Sequence, residues 1–419
     1  MRFLFICLAI LFYLSSFAQN INGSWKGSID VSGTQLPIIF HLIDSEGNIT
    51  GTWDSPAQNA TGLTFSSLRM TPDSLYAGIN SLNSTYRGRF VTQDSISGIW
   101  QQSGMSFPLN FKRSEADNEV KKNAIYPNEK EVGIYSDGMK ISGTLLSKNN
   151  RQKLVIIIAG SGPTDRDGNN PYGANVQNLK LLAHALDSQD IASFRFDKRG
   201  IGKSTVAGMN EASLVFEDYI NDAKAIFNYL YDSLGFKSIY FAGHSEGSLI
   251  GMVASQNKKV KGYISIAGAG RPIDVIINEQ MEQQPLADTI KDKVAVIFNE
   301  LKKGNTVDDY PSELESLFRK SVQPYITSWM KYSPEIEIKK VQCPVFIIQG
   351  DCDVQVKVLD AQNLHAANKK NLLKIIPQMS HTLKDAGVAC VDQQKTYTNG
   401  SLPLSKEFTG AIINFIRNN

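Results

Sequence analysis

The chain has 419 residues, 42% apolar and 20% charged, and its 43 Lys and Arg against 41 Asp and Glu leave a formal charge of +2. That length exceeds one ordinary domain and supplies enough apolar side chain for a large core. The composition excludes a disordered or fibrous chain, and the near balance of charge argues against nucleic acid or an acidic polymer as partner.

Arg2, the apolar run Phe3 to Leu14 and the triplet Ser16-Phe17-Ala18 read as a secretory signal over residues 1–18, with the mature chain starting near Gln19. About a dozen apolar residues fall short of the roughly 20 that span a bilayer, so no stable membrane insertion is expected. The protein is read as exported, periplasmic or extracellular. Cys7 follows bulky Phe5 and Ile6, a poor setting for a lipidated cysteine.

Residues 19–113 are short alternating runs rich in Gly, Ser, Thr and aromatics without a helical period, which predicts a small all-β barrel or sandwich. Gly23-Ser24-Trp25, Gly51-Thr52-Trp53 and Gly98-Ile99-Trp100 repeat one pattern at strand-like positions. Their indoles are expected to plug the core rather than hold a ligand. Residues 114–131 are polar and charged with Pro127, and read as a linker.

From 132 to 419 strands alternate with helices. Glu131 to Ser136 and Lys140 to Leu146 flank the turn dipeptide Asp137-Gly138 and form a hairpin. Six apolar runs follow at 154–159, 192–196, 238–242, 262–267, 345–349 and 372–376, suited to strands buried on both faces of a mostly parallel sheet. Amphipathic segments at 175–188, 213–234, 247–256, 356–367 and 405–417 complete a doubly wound α/β pattern. Residues 272–340 break the alternation with charged helical pattern at 273–283, 286–302 and 311–330, and read as a helical cap inserted over the sheet. The cap aromatics Phe298, Phe318, Tyr325 and Trp329, with Met330, either line an acyl pocket or pack the cap, and packing is the commoner fate of such side chains.

Beyond the signal, Cys343, Cys352 and Cys390 remain, too few for a disulfide scaffold. Cys343 reads as a core residue, and a Cys352–Cys390 bridge is left open.

Gly243-His244-Ser245-Glu246-Gly247 fits G-x-S-x-G between a predicted strand and a predicted helix, the context a strained nucleophile turn requires. A serine hydroxyl needs a base, and the base needs an orienting carboxylate. Of the five histidines, His41 lies in the β module, His184 and His365 fall mid-helix, and His244 belongs to the turn itself. His381, in a loop after the last strand, is the base expected. Asp351 and Asp353 both follow the 345–349 strand, and Asp353, immediately before the helix, is preferred while Asp351 braces the turn. The order Ser245, Asp353, His381 is that of α/β-hydrolases. Backbone N–H groups of Ser161 and Glu246 are the expected oxyanion donors, and Gly160 and Gly162 permit close approach. The same loop lacks the lysine of a phosphate-binding loop, and Val176 stands where a calcium loop needs Glu, so neither metal nor cofactor is expected.

Gly160-Ser161-Gly162-Pro163, Phe196-Asp197-Lys198-Arg199-Gly200-Ile201-Gly202-Lys203-Ser204, the 243–247 pentapeptide, Cys343-Pro344-Val345 and the 350–356 segment together resemble bacterial carboxylesterases of the serine-aminopeptidase-like branch of the α/β-hydrolases, over about residues 132–419. The resemblance implies an α/β-hydrolase fold and cleavage of an ester, thioester or amide through an acyl-enzyme. It implies for the segment after Phe196 a structural role, with Arg199 and the glycines shaping a loop. The leading expectation is a carboxylesterase for small or medium acyl groups acting on a small-molecule substrate. A serine exopeptidase holding an α-ammonium on Glu246, Asp165 or Asp167 and a thioesterase stay open. A non-catalytic exported binding protein is the reading from another class, and the full Ser-Asp-His set argues against it.

Overall fold

The computed structural model describes residues 20–419 apart from 32–33, 46–47, 56–59, 80–83, 103, 115–127, 149–151, 171–174, 207–208 and 285. The signal read at 1–18 and most of the linker therefore lie outside the described residues. The chain divides into two compact units, Met1–Ala124 and Ile125–Asn419.

Among the described residues the first unit is all β: β1 (Gly23–Val31), β2 (Thr34–Ser45), β3 (Asn48–Ser55), β4 (Ala60–Thr64), β5 (Ser67–Met70), β6 (Ser74–Ile79), β7 (Ser84–Thr92), β8 (Ser95–Gln102), β9 (Met105–Pro108) and β10 (Phe111–Arg113). They form one antiparallel, barrel-like sheet in the order β4-β3-β2-β1-β10-β8-β7-β6-β5, with β9 added to β8. The period of two is plain in β7, where Ser84, Tyr86 and Gly88 face in while Thr85, Arg87 and Arg89 face out. The inner face holds one aromatic core in which Trp25, Trp53 and Trp100 are at most 1% exposed. Trp53 meets Trp100 at 5.7 Å and Phe40 meets Phe111 at 4.4 Å, so the repeated Gly-x-Trp marks core. A polar chain, Ser24 Oγ to His41 Nδ1 at 2.8 Å and His41 Nε2 to Asp54 Oδ2 at 2.7 Å, ties three neighbouring strands.

In the second unit the strands are β11 (Glu129–Ser136), β12 (Met139–Leu146), β13 (Lys153–Ile158), β14 (Ala192–Phe196), β15 (Ser238–His244), β16 (Gly262–Ile266), β17 (Val345–Gly350) and β18 (Leu372–Ile376). The sheet runs β11-β12-β14-β13-β15-β16-β17-β18, antiparallel at its first two pairings and parallel from β14 onward. This strand order, with the helices around it, is the α/β-hydrolase fold. Alternate residues of each central strand serve different cores: Leu154, Ile156 and Ile158 of β13 join one cluster and Val155 and Ile157 the other. Burial on both faces explains why these strands are apolar without interruption. Helices α1 (Asn178–Asp187) and α11 (Lys406–Asn418) cover one face. Helices α2 (Phe216–Asn228), α3 (Glu246–Ala254), α9 (Val358–Ala367) and the cap cover the other. The cap contains α4 (Ile273–Glu282), α5 (Asp288–Lys302), α6 (Glu315–Phe318), α7 (Gln323–Trp329) and α8 (Pro334–Glu337), and α10 (Gln393–Thr398) lies near the chain end.

Two elements differ from expectation. The continuous helix expected over 311–330 is broken between Phe318 and Gln323, because Pro324 has no N–H to give a preceding turn and is accommodated only in the first turn of a new helix. Strand β11 begins at Glu129, inside the segment read as linker. Its charged start pairs with β12, Glu129 opposite Leu146, and the Glu129 carboxylate accepts from Arg195 at 2.9 Å and His184 at 3.0 Å. Burial works against that carboxylate, yet His184 and Arg195 prevail and hold its pKa down at about 2.

The aromatic core of the first unit predicts its weak point. Trp100→Ala should destabilise that unit by about 3–5 kcal/mol, read as an earlier transition in guanidinium unfolding. Ile99→Ala, at a side chain 52% exposed on the other face of the same strand, should leave the transition within about 0.5 kcal/mol.

Candidate active site

Ser245 occupies a one-residue junction between β15, ending at His244, and α3, starting at Glu246. Its φ of 55° and ψ of −121° lie where a residue with a Cβ is strained. Three glycines make the turn possible. A Cβ on Gly243 would lie 2.0 Å from the Gly247 carbonyl oxygen, one on Gly247 would lie 2.5 Å from the carbonyl oxygens of Ile158 and Ala159, and one on Gly160 would press on the Ser245 Cβ at 3.2 Å. The Ser245 N–H donates to the Ile266 carbonyl at 2.9 Å, tying the junction to β16.

The loop after β17 and the loop after β18 meet beside it. His381 Nδ1 lies 2.7 Å from Asp353 Oδ2, and that oxygen also accepts from Gln349 Nε2 at 2.9 Å. The other carboxylate oxygen accepts from the N–H groups of Gln355 at 2.8 Å and Val356 at 2.9 Å. Burial alone would raise the Asp353 pKa, but the facing imidazole and these donors hold it below the ordinary aspartate value. An ionised carboxylate only accepts, so Nδ1 is the donor in this bond and Nε2 is left facing away from Asp353. Asp351 is turned elsewhere and accepts from the Gln378 N–H at 2.6 Å. A disulfide joins Cys352 to Cys390 with Cα atoms 5.5 Å apart, clipping the Asp353 loop to the chain beyond His381. Cys343 stays a thiol, its pKa raised to about 11 by burial.

Among the described residues Ser245 makes no hydrogen bond to His381; the two are related through His244. Its Nε2–H donates to the His381 carbonyl at 2.8 Å and its ring lies 4.7 Å from the His381 ring. Burial, and then the neighbouring His381, depress the His244 pKa to about 3, so it is a neutral donor that seats the His381 backbone beside the serine. Ser161 and Glu246 lie next to Ser245 in the wall of one cavity, and Glu246 opens α3, where a backbone N–H has no partner within the helix.

That cavity has a volume of about 800 Å³ and lies under the cap. Tyr325 and Trp329 line it together with Ile276, Ile277, Leu249 and Met209. Phe298 and Phe318 do not: they pack on each other at 5.1 Å inside the cap. The five residues read from sequence as either lining or packing thus divide, with Met330 also on the packing side. The Ser24–His41–Asp54 chain of the first unit differs in kind, because Ser24 sits within a regular strand with no helix N-terminus after it.

Gln349, His244 and Lys198 were not readable as site residues. Gln349 and His244 act on partners brought near only by the sheet, and Lys198 sits in the segment to which the resemblance assigns a structural role carried by Arg199 and the glycines.

A family model described as Serine aminopeptidase, S33, matches residues 172–323, within the second unit. No curated protein sequence matches the chain. Among solved structures, Est1E from Butyrivibrio proteoclasticus with ferulic acid bound is 20% identical over 68% of this chain and 98% of its own, with a TM-score of 0.46. An esterase from Pyrococcus furiosus is 18% identical over 69% and 90%, TM-score 0.45. Proline iminopeptidase of Mycobacterium smegmatis is 12% identical over 69% and 98%, TM-score 0.44. At these values the fold assignment rests on the strand order itself.

The buried imidazole of His244 sets a pH dependence. The unfolded chain takes up its proton as pH falls through about 6.5, whereas the folded protein refuses it until about 3, so stability declines over that window. The melting temperature of the parent should fall between pH 6.5 and 4 more steeply than that of His244→Gln, which keeps a side-chain N–H donor and no titrating ring.

Proposed function

We propose that the protein is a serine hydrolase cleaving neutral carboxylic esters of small or medium acyl groups through an acyl-enzyme. The observation that carries this reading is the Asp353–His381 hydrogen bond, anchored through His244 beside a serine on a strained strand-to-helix turn that opens into a largely apolar cavity.

In this mechanism the Ser245 hydroxyl attacks the ester carbonyl and passes its proton to His381 Nε2. Asp353 fixes the tautomer and stabilises the imidazolium that forms. Negative charge collects on the carbonyl oxygen, where the N–H groups of Ser161 and Glu246 receive it. Collapse of the tetrahedral species expels the alcohol, which takes the proton from His381. Water, deprotonated by the same imidazole, then releases the acid and restores Ser245.

The side chains around the site favour an ester over an N-terminal peptide. An exopeptidase needs a carboxylate to hold the α-ammonium, and each one suggested for that task is engaged internally. Glu246 pairs with Lys198 at 2.6 Å, Asp167 pairs with Arg195 at 2.7 Å, and Asp165 accepts from the N–H groups of Asp167 and Asn169 at 2.9 Å. Arg271, also in the cavity wall, is held by Asp360 at 2.8 Å and Glu279 at 2.6 Å. The pairing of Glu246, Lys198, Arg199 and Arg271 in the cavity wall favours a neutral substrate. Export through the segment at 1–18 belongs to the same reading, since a disulfide at Cys352–Cys390 persists in an oxidising compartment.

Ser245→Ala should abolish both p-nitrophenyl butyrate hydrolysis and labelling by a fluorophosphonate, and undiminished labelling would remove Ser245 from the mechanism. Asp353→Asn should lower kcat by about a thousandfold or more, while Asp351→Asn, which disturbs only a turn, should cost less than about tenfold. The reverse ranking would reassign the acid.

Acyl selectivity should depend on the cap residues that reach the cavity. Trp329→Ala is expected to shift the short-to-long acyl ratio of kcat/KM by an amount equivalent to about 1–3 kcal/mol. Phe298→Ala, inside the cap, should lower the melting temperature and leave that ratio unchanged. Equal ratios in parent and Trp329→Ala would make the cap a cover without selectivity.

A further inference from the structure

We infer that Lys198 is the positioning residue of the oxyanion site, holding both backbone donors in register through one buried ammonium. The inference rests on the Ser245 mechanism proposed above.

Lys198 follows the end of β14 and is 1% exposed. Its ammonium donates to the Gly160 carbonyl at 2.6 Å and to Glu246 Oε1 at 2.6 Å, and its remaining face lies over the Tyr219 ring at 4.9 Å. Both acceptors matter for where oxyanion donors point. The Gly160 carbonyl and the Ser161 N–H belong to one planar trans peptide, so they point in opposite directions. A cation fixed on the oxygen orients the N–H at the other end and draws electron density away from it, which makes that N–H a better donor. Glu246 bears the second N–H on its own backbone, at the residue after Ser245, and its side chain is gripped by the same ammonium. The oxyanion loop and the nucleophile turn, remote in sequence, are thereby bolted together at one point.

The pair is costly to bury and is not needed to fill space, since Leu and Met of similar volume would pack there. Its side chains are 1% and 2% exposed. Tyr325, from the cap, is buried near Glu246, and its hydroxyl makes no hydrogen bond among the described residues. Burial, and then Glu246, push its hydroxyl pKa well up, so it stays protonated beside the anion. Glu246 therefore compensates the ammonium instead of binding substrate, and the net field at the Gly160–Ser161 peptide is set by a neutral pair with its cation against the carbonyl.

The test compares parent, Lys198→Met and the double variant Lys198→Met/Glu246→Leu, which leaves no orphan charge if the single variant folds poorly. Each is measured for kcat and KM on p-nitrophenyl acetate, for melting temperature, and for affinity toward phenylboronic acid, whose tetrahedral adduct with serine mimics the oxyanion. Positioning predicts that both variants lose about ten- to a hundredfold in kcat, somewhat less than removal of a whole donor. KM should stay near the parent value, and boronate affinity should fall by the same factor as kcat. A double variant with parental kcat and boronate affinity, changed only in melting temperature, would overturn the inference, and so would a rise in KM at constant kcat. Ser245→Ala run alongside separates the two readings: hydrolysis surviving that substitution overturns the serine mechanism itself, whereas a dead Ser245→Ala beside a fully active Lys198→Met overturns only the role of Lys198.

Discussion

The positive φ at Ser245 is the constraint on which the rest of the second unit depends. A residue with a Cβ held at φ 55° costs on the order of 1–3 kcal/mol, and it persists only where the surroundings over-determine it. Here the surroundings are the parallel strands on either side and a helix packed directly behind. Gly243 and Gly247 let β15 and α3 close to a distance that no side chain would allow, and the Ile266 carbonyl pins the Ser245 N–H from β16. The serine side chain is thereby presented above the sheet instead of within it, and the first free N–H of the helix lies directly behind it.

A second organising point lies at the carboxyl end of β14, where Asp197, Lys198 and Arg199 stand in succession and each reaches a different segment. Asp197 accepts from Arg166 of the loop after β13 at 2.6 Å, Lys198 grips Gly160 and Glu246, and Arg199 makes a forked pair with Asp222 of α2 at 2.6 and 3.1 Å. Consecutive residues leaving a strand point in diverging directions, so three neighbouring charges can serve three loops. Ser204 closes the turn by accepting from the Ser142 N–H and donating to the Asp197 carbonyl, both at 2.8 Å. A Cβ at Gly202 would press on the Asp197 carboxylate at 2.6 Å, which accounts for the glycine there. The segment is a junction that ties three loops to the end of β14.

The loops that carry Asp353 and His381 are fixed by a different means. Asp353 is satisfied by donors from its own strand, its own loop and the imidazole, and the Cys352–Cys390 bridge closes the two loops covalently. The cavity is walled by the turn at Ser245, the loop after β17, the segment after β14 and the cap.

Much of this was legible in the chain before any coordinate. Strand after strand in the second unit declares itself by unbroken apolar runs, because both faces are buried, and the Gly-x-Trp echoes mark core because an indole that large has nowhere else to go. The strand-to-helix turn at Ser245 is legible because its glycines are demanded locally, and His381 is legible because few histidines compete for its place. What the linear order does not hold is any pairing made across the sheet. The choice between Asp351 and Asp353 turns on which carboxylate faces His381, and the cysteine bridge turns on a Cα separation. The break at Pro324 and the early start of β11 depend on a helix that must end and on charges whose partners, Arg195 and His184, come from elsewhere in the fold. Local periodicity and steric demand are written residue by residue, whereas the meeting of His244 with the His381 carbonyl, or of Lys198 with Gly160 and Glu246, exists only once the parallel strands have stacked their carboxyl ends at one edge.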